Sequence, residues 1–147
     1  MATGVQVVID CADPSAMMKF WATALGYQEQ DPPEGFATWE DFLRAMNVPE
    51  DRWNSAGAVV DPEGPGPRIF FQRVPEPKTV KNRVHLDLNV GGGQATPMEE
   101  RRKRVDAEVD RLKAAGATVF RPGEIDSELE EYWVVMQDPE GNEFCVQ

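Results

Sequence analysis

Few side chains in this sequence can do chemistry, and they are unevenly spread. His85 is the single histidine of the 147-residue chain, and Cys11 and Cys145 are its two cysteines. An imidazole titrates near neutral pH and can serve as acid, base or metal ligand. A solitary histidine can equally be a hydrogen-bonded structural residue. Asp87 follows two positions later, so on a strand it shares the face of His85. The two can act together, or Asp87 can satisfy a backbone amide or an arginine. Cys145 has the parity of Glu143 and Gln147, whereas Cys11 has that of Val5, Val7 and Ile9. The two thiols then face opposite ways and no disulfide is expected. A buried thiol is ordinarily a small, inert apolar group, which is the expectation for Cys145. The chain has no nucleophile elbow, phosphate loop or dinucleotide fingerprint, and Gly91-Gly92-Gly93 reads as a loop.

The elements that must position these residues can be read in order. Val5 to Asp10 is a β-rich strand. Asp13-Pro14 starts a helix whose buried stripe is Met17, Phe20, Trp21, Ala24 and Leu25, and Gly26 stops it. An acidic, proline-rich loop covers residues 28–35. Thr38 caps a short helix with Trp39, Phe42, Leu43 and Met46 on one face, ended by Pro49. Trp53 lies in a loop. Trp39 and Trp53 fall in an inserted segment, residues 28–57, that could form a lid, although helical spacing makes Trp39 core of its helix. Strands are predicted to begin at Ala58 and to run from Arg68 to Val74, around a turn at Asp61-Pro62-Glu63-Gly64.

The second half repeats the pattern. Arg83 to Val90 alternates, with Val84, Leu86, Leu88 and Val90 opposite His85, Asp87 and Asn89. Thr96-Pro97-Met98-Glu99 has the form of a capping box, and the helix it opens runs through Val105, Val109 and Leu112 to Gly116. Thr118 to Phe120 is a short strand, residues 124–131 an acidic loop, and Tyr132 to Gln137 and Glu143 to Gln147 are strands. A second Asp-Pro-Glu-Gly turn stands at residues 138–141, 77 positions after the first. The matching order of strand, helix with an early proline, glycine stop, strands and hairpin turn indicates an internal duplication.

The fold class is therefore α+β. Two βαβββ modules, residues 1–78 with a short inserted helix at about 38–47 and residues 79–147, are expected to form an eight-stranded, strongly curved mixed sheet. The sheet encloses a cavity, with the helices outside. On strand parity, Val8, Phe70, Gln72, Trp133 and Val135 line that cavity. Such an aromatic wall suits a planar or partly apolar small molecule. The competing reading is that Phe70 and Trp133 fill the space themselves.

The formal net charge is −11, which repels phosphate backbones and anionic lipid, so neither nucleic acid nor membrane is expected as a partner. The basic run at residues 101–104 follows Glu99 and Glu100 at helical pairing distance and reads as a solvated helix face. No run reaches the length of a membrane span and no secretory leader is visible, so the cytoplasm is the expected compartment.

The sequence resembles the vicinal oxygen chelate superfamily, which includes glyoxalases, bleomycin-resistance proteins and extradiol dioxygenases. The resemblance rests on Val8 to Pro14 with Phe20-Trp21 and Leu25-Gly26-Tyr27, on Val84 to Leu88, on Ala115-Gly116-Ala117, and on Asp138 to Cys145. It is most similar to an actinobacterial glyoxalase-like branch, in which Phe70 to Pro75 precedes Lys81 to Asp87. The resemblance implies a divalent ion held by four side chains in the metalloenzymes, two per module. Here those positions fall on Gln6, Phe70, His85 and Cys145. Phe70 cannot ligate and Cys145 replaces a carboxylate, so no metal cofactor is expected. If a metal were held, Gln6, His85 and Cys145 would hold it, and Glu143 is a substitute of the same parity.

Two functions follow. One is a metal-independent protein that binds a small, aromatic molecule through Gln6, Val8, Phe70, Gln72, His85, Trp133, Glu143 and Cys145; the bleomycin-resistance resemblance implies such binding, and a homodimer. The alternative is a lyase, isomerase or dioxygenase that uses a non-standard metal site, or His85 with Asp87 or Glu143 as acid–base groups. A third reading is an interaction domain with a filled cavity.

Overall fold

A computed structural model describes all 147 residues. The chain divides into two units, Met1–Pro77 and Lys78–Gln147. The first contains β1 (Val7–Cys11), α1 (Pro14–Leu25), β2 (Gln28–Glu29), α2 (Trp39–Ala45), a 3₁₀ segment (Glu50–Ser55), β3 (Ala56–Val60) and β4 (Ile69–Arg73). The second contains β5 (Asp87–Leu88), α3 (Met98–Ala115), β6 (Thr118–Asp126), β7 (Glu131–Gln137) and β8 (Glu143–Val146). Eight strands form two four-stranded sheets, ordered β1-β4-β3-β2 and β5-β8-β7-β6. In each unit the first and last strands pair in parallel and all other pairs are antiparallel. The shared topology is that of one βαβββ module used twice.

Within the first unit, Met17, Phe20, Trp21 and Ala24 of α1 are buried, as are Val59, Ile69 and Phe71 of the sheet. Phe20 and Trp21 meet edge to face at 5.4 Å. Asp13 accepts the Ala16 N–H and the Asn54 side-chain amide, and Asn54 in turn accepts the Ser15 N–H. The inserted segment thereby fastens the start of α1. Gly57 leaves room for the Met18 side chain, since a Cβ there would lie 2.3 Å from its sulfur. In the second unit, Val105, Val109 and Leu112 of α3 are buried with Tyr132, Val134, Met136, Phe144 and Val146. Tyr132 Oη donates to Asp106 at 2.6 Å. Gly26 and Gly116 stop α1 and α3 at φ 67° and 117°, where a side chain would be strained.

The two repeated turns share a device. Asp61 Oδ1 accepts the Glu63 N–H and Asp138 Oδ1 the Glu140 N–H, at 2.8 and 2.9 Å. Gly64 and Gly141 close each turn at φ 95° and 85°.

Several sequence expectations are corrected. Of the strand expected over residues 83–90 only Asp87–Leu88 forms, and Val84 is 83% exposed. Upstream of β5, the Glu143 carboxylate takes the Asn82 N–H and the Leu86 carbonyl accepts the Cys145 N–H. Residues 124–126 belong to β6, whose pairing with β7 shifts register between Val119 and Glu124. Pro122 and Gly123 stand in that irregular stretch, where such residues are tolerated. Gln28 and Glu29, expected in a loop, pair with Val60 and Val59. Thr96 does not cap α3; its hydroxyl donates to the Gly92 carbonyl. Trp53 lies in a 3₁₀ turn. No residue of α2 is buried, and Trp39 is 40% exposed. Its ring instead stacks edge-on with Phe42, and its N–H donates to the Gln30 carbonyl.

Candidate functional site

The expected site residues fall on the sheet face turned away from the helix in each unit. In the first unit, β1 and β4 set Val8 beside Phe70 and Asp10 beside Gln72. Alternate residues Ile69 and Phe71 are buried, Phe70 is half-buried and Val8 is 49% exposed. Arg68, a residue the sequence reading did not single out, organises this face. Its Nη1 donates to Gln6 Oε1 at 2.8 Å and its Nε to Gln30 Oε1 at 2.7 Å. Its guanidinium carbon lies 5.2 Å from the centre of the Phe70 ring, a cation–π distance. Both acceptors are neutral amides, so the arginine is held in place with its charge uncompensated by these bonds. Arg68 has the parity of Phe70 and Gln72, which is the signal that could have found it. Gln30 lies in a loop and carries no such signal.

In the second unit, Asp87 is directly opposite Cys145, and Val135 is Cys145's partner on the other side. Trp133 has the same parity and is half-buried. His85 precedes β5, and its Nε2 lies 3.4 Å from Asp87 Oδ1. The ligand atoms of His85, Asp87 and Cys145 all lie within 4.8 Å of one another. Cys145 is buried and neither cysteine forms a disulfide. Burial, reinforced by the Asp87 carboxylate, pushes the Cys145 thiol up to about 11.

Glu143 is also brought to this face, but it is not available to a ligand. It is 5% exposed, and its two oxygens accept from Lys78 Nζ and from the Asn82 N–H. Burial alone would raise its pKa; the Asn82 N–H, its own backbone and the Lys78 ammonium outweigh that and hold it below the usual carboxylate value. These contacts span more than 60 residues, which no local pattern announces. Glu143 is therefore a structural clamp rather than the substitute ligand considered above. A separate cleft of about 450 Å³ lies between Gln94–Met98 and the tip of the β6–β7 hairpin, and none of the expected site residues lines it.

The paired βαβββ topology defines a class, the glyoxalase, bleomycin-resistance and dioxygenase fold of the vicinal oxygen chelate superfamily. Residues 6–147 match the family model of the glyoxalase-like domain, and the chain belongs to that family. Its structure is similar to that of a glyoxalase/bleomycin resistance protein/dioxygenase family enzyme from Burkholderia phytofirmans, at 21% identity, TM-score 0.61, and coverage of 96% of this chain and 94% of that one. It is also similar to a fosfomycin resistance protein from Listeria monocytogenes complexed with Mn(II) and a dihydroxypropylphosphonic acid. That match has 14% identity, TM-score 0.62, and coverage of 100% and 90%. A possible glyoxalase from Bacillus cereus matches at 16% identity and TM-score 0.59, with 99% of each chain covered. No protein of curated function matches the sequence.

The residues present do not fit the oxygen-rich ion site that the superfamily implies. Phe70 presents a ring, Cys145 a thiol, and the Glu143 carboxylate is taken up by Lys78 and Asn82. Manganese and magnesium favour carboxylate oxygens; the one oxygen donor at these positions is the Gln6 amide, which already accepts from Arg68.

Proposed function

We propose that this protein binds a small organic molecule, planar and partly apolar, on the open face of its first sheet, without a metal ion. The observation that carries this reading is the Arg68 guanidinium fixed by Gln6 and Gln30 above the Phe70 ring. Phe70 and Val8 offer apolar contact. Gln6, Gln72 and Arg68 offer directional polar contact at the edges, the mixture that small-molecule sites use. An acidic or carbonyl-bearing aromatic compound matches that combination. The cytoplasmic homodimer suggested by the family resemblance is part of the proposal.

The test is a panel of aromatic carboxylates and their neutral amides, added to chelator-treated protein and followed by tryptophan fluorescence and thermal shift. Saturable binding is expected, weakened at least about tenfold by Phe70→Ala or Arg68→Gln, in line with the loss of a buried contact near 1.4 kcal/mol. Binding that appears only after metal is restored, or none across the panel, overturns the reading. Sedimentation should give twice the 16.4 kDa chain mass.

A second reading is favoured by the 3.4 Å approach of His85 to Asp87. Such a pair can move a proton in a lyase or isomerase reaction, with Asp87 orienting the imidazole. His85→Ala would then abolish turnover while leaving the fold intact, and an unchanged rate would exclude it.

A further inference from the structure

The cleft at the start of α3 is built wholly by the second unit, from residues 94–130. We propose that it binds a small zwitterion, a free α-amino acid with an apolar side chain.

Arg101 supplies the positive charge. No hydrogen bond or ion pair engages its guanidinium, and its Nε is buried without an acceptor. The other arginines of α3 are all engaged by carboxylates: Arg102 by Asp106, Arg104 by Glu100 and Arg111 by Glu108. A buried donor without an acceptor costs free energy, and a ligand that supplies the acceptor recovers it. The guanidinium fork matches a carboxylate. The cleft also takes in Met98, at the start of α3. The N-cap residue, Pro97, makes no side-chain hydrogen bond, so the first-turn N–H groups add donors for an anion. The stem of Arg101 is packed in place. A Cβ at Gly91 would lie 3.5 Å from Arg101 Cβ and Cγ and 3.3 Å from the Gln147 carbonyl carbon. The glycine run at residues 91–93, read from the sequence as a loop, thus lies close against the side chain that lines the cleft.

The hairpin supplies the negative charge, through Asp126 and Glu130. Asp126 Oδ1 accepts the Glu128 and Leu129 N–H groups at 2.9 and 3.0 Å, which leaves its other oxygen free. Glu130 has no ion-pair partner, and no ion pair joins either carboxylate to Arg101. One cleft therefore presents both signs of charge without neutralising them internally. Met98 and Ile125 add apolar surface, Ile125 being 51% exposed.

This pattern selects a ligand by charge. Asp126 and Glu130 repel a simple anion such as phosphate or a dicarboxylate, and Arg101 repels a simple cation. A molecule that carries one carboxylate and one ammonium group satisfies both sides. The volume of about 450 Å³ suits a small molecule, whose sites span roughly 300–1,000 Å³.

Isothermal titration calorimetry of the full-length protein with L-methionine and L-leucine tests this, alongside the N-acetyl and carboxamide derivatives of each. Saturable binding of the free amino acids is expected. Both derivatives should bind at least about tenfold more weakly, since each loses one charge-assisted contact. Arg101→Gln should weaken the free amino acid by a similar factor and remove its advantage over the carboxamide. The double variant Asp126→Asn/Glu130→Gln keeps an acceptor for the hairpin N–H groups. It should remove the advantage over the N-acetyl form, and it covers the case in which Arg101→Gln misfolds. Phe70→Ala, in the first unit, should leave binding unchanged, so this site and the ligand reading of the first sheet stand or fall separately. No binding of the free amino acids, equal binding of their derivatives, undiminished affinity in the double variant, or loss of affinity in Phe70→Ala would each overturn the proposal.

Discussion

Cys145 and Glu143 are neighbours of the same parity with opposite circumstances. The Cys145 thiol is buried against a carboxylate and stays protonated at neutral pH, its pKa pushed up to about 11. Alkylation of the metal-free protein by iodoacetamide should therefore be slow at pH 7 and accelerate as the pH approaches that value. Asp87→Asn removes the neighbouring negative charge and should make labelling faster at any fixed pH. Glu143 is ionised and fully engaged. Glu143→Gln leaves Lys78 without its counter-ion and weakens the bond to the Asn82 N–H. The expected loss is about 2 kcal/mol, the scale for hydrogen bonds to charged groups, read from the denaturant midpoint. The parity of these two residues could be read from the strand pattern. Their partners could not, because Lys78 and Asn82 arrive from a distant irregular segment.

Both long helices stop at the glycines that local chemistry predicts, whereas several strand ends differ from the local pattern. The start of α1 is the clearest case. Asp13 caps it as read from the sequence, but Asn54 from the inserted segment bonds both the cap and the helix's first turn. Asp13→Ala should cost about 1 kcal/mol, the usual value of an N-cap. Asn54→Ala should cost part of that cap as well. The Asn54 amide and the Ala16 N–H hold the Asp13 carboxyl below its ordinary value. A depressed folded-state pKa stabilises the fold above the ordinary carboxylate pKa, and the benefit fades as pH falls through the folded value. The stability difference between wild type and Asp13→Ala should thus shrink below about pH 4, as thermal melts across that range would record. Met18 of α1 lies against Gly57 of β3. Gly57→Val places carbon where the Met18 thioether lies, but that flexible, half-buried end can swing aside, so the expected loss is below about 1 kcal/mol, read from the denaturant midpoint.

At the scale of the whole molecule, the two units share one topology but set different side chains on it: Gln6, Arg68 and Phe70 in the first, His85, Asp87 and Cys145 in the second. The duplication, the strand parities and the helix stops were legible in the sequence, because hydrophobic period and turn residues are local properties. So was the resemblance that names the family. Tertiary structure decided the rest. It brought Arg68 onto Gln6 and Gln30, withdrew Glu143 into a clamp with Lys78 and Asn82, and set Asp87 across from Cys145 next to His85. Apart from His85 and Asp87, those contacts join residues dozens of positions apart, through the register of parallel strand pairs and through irregular segments that no single strand's pattern specifies.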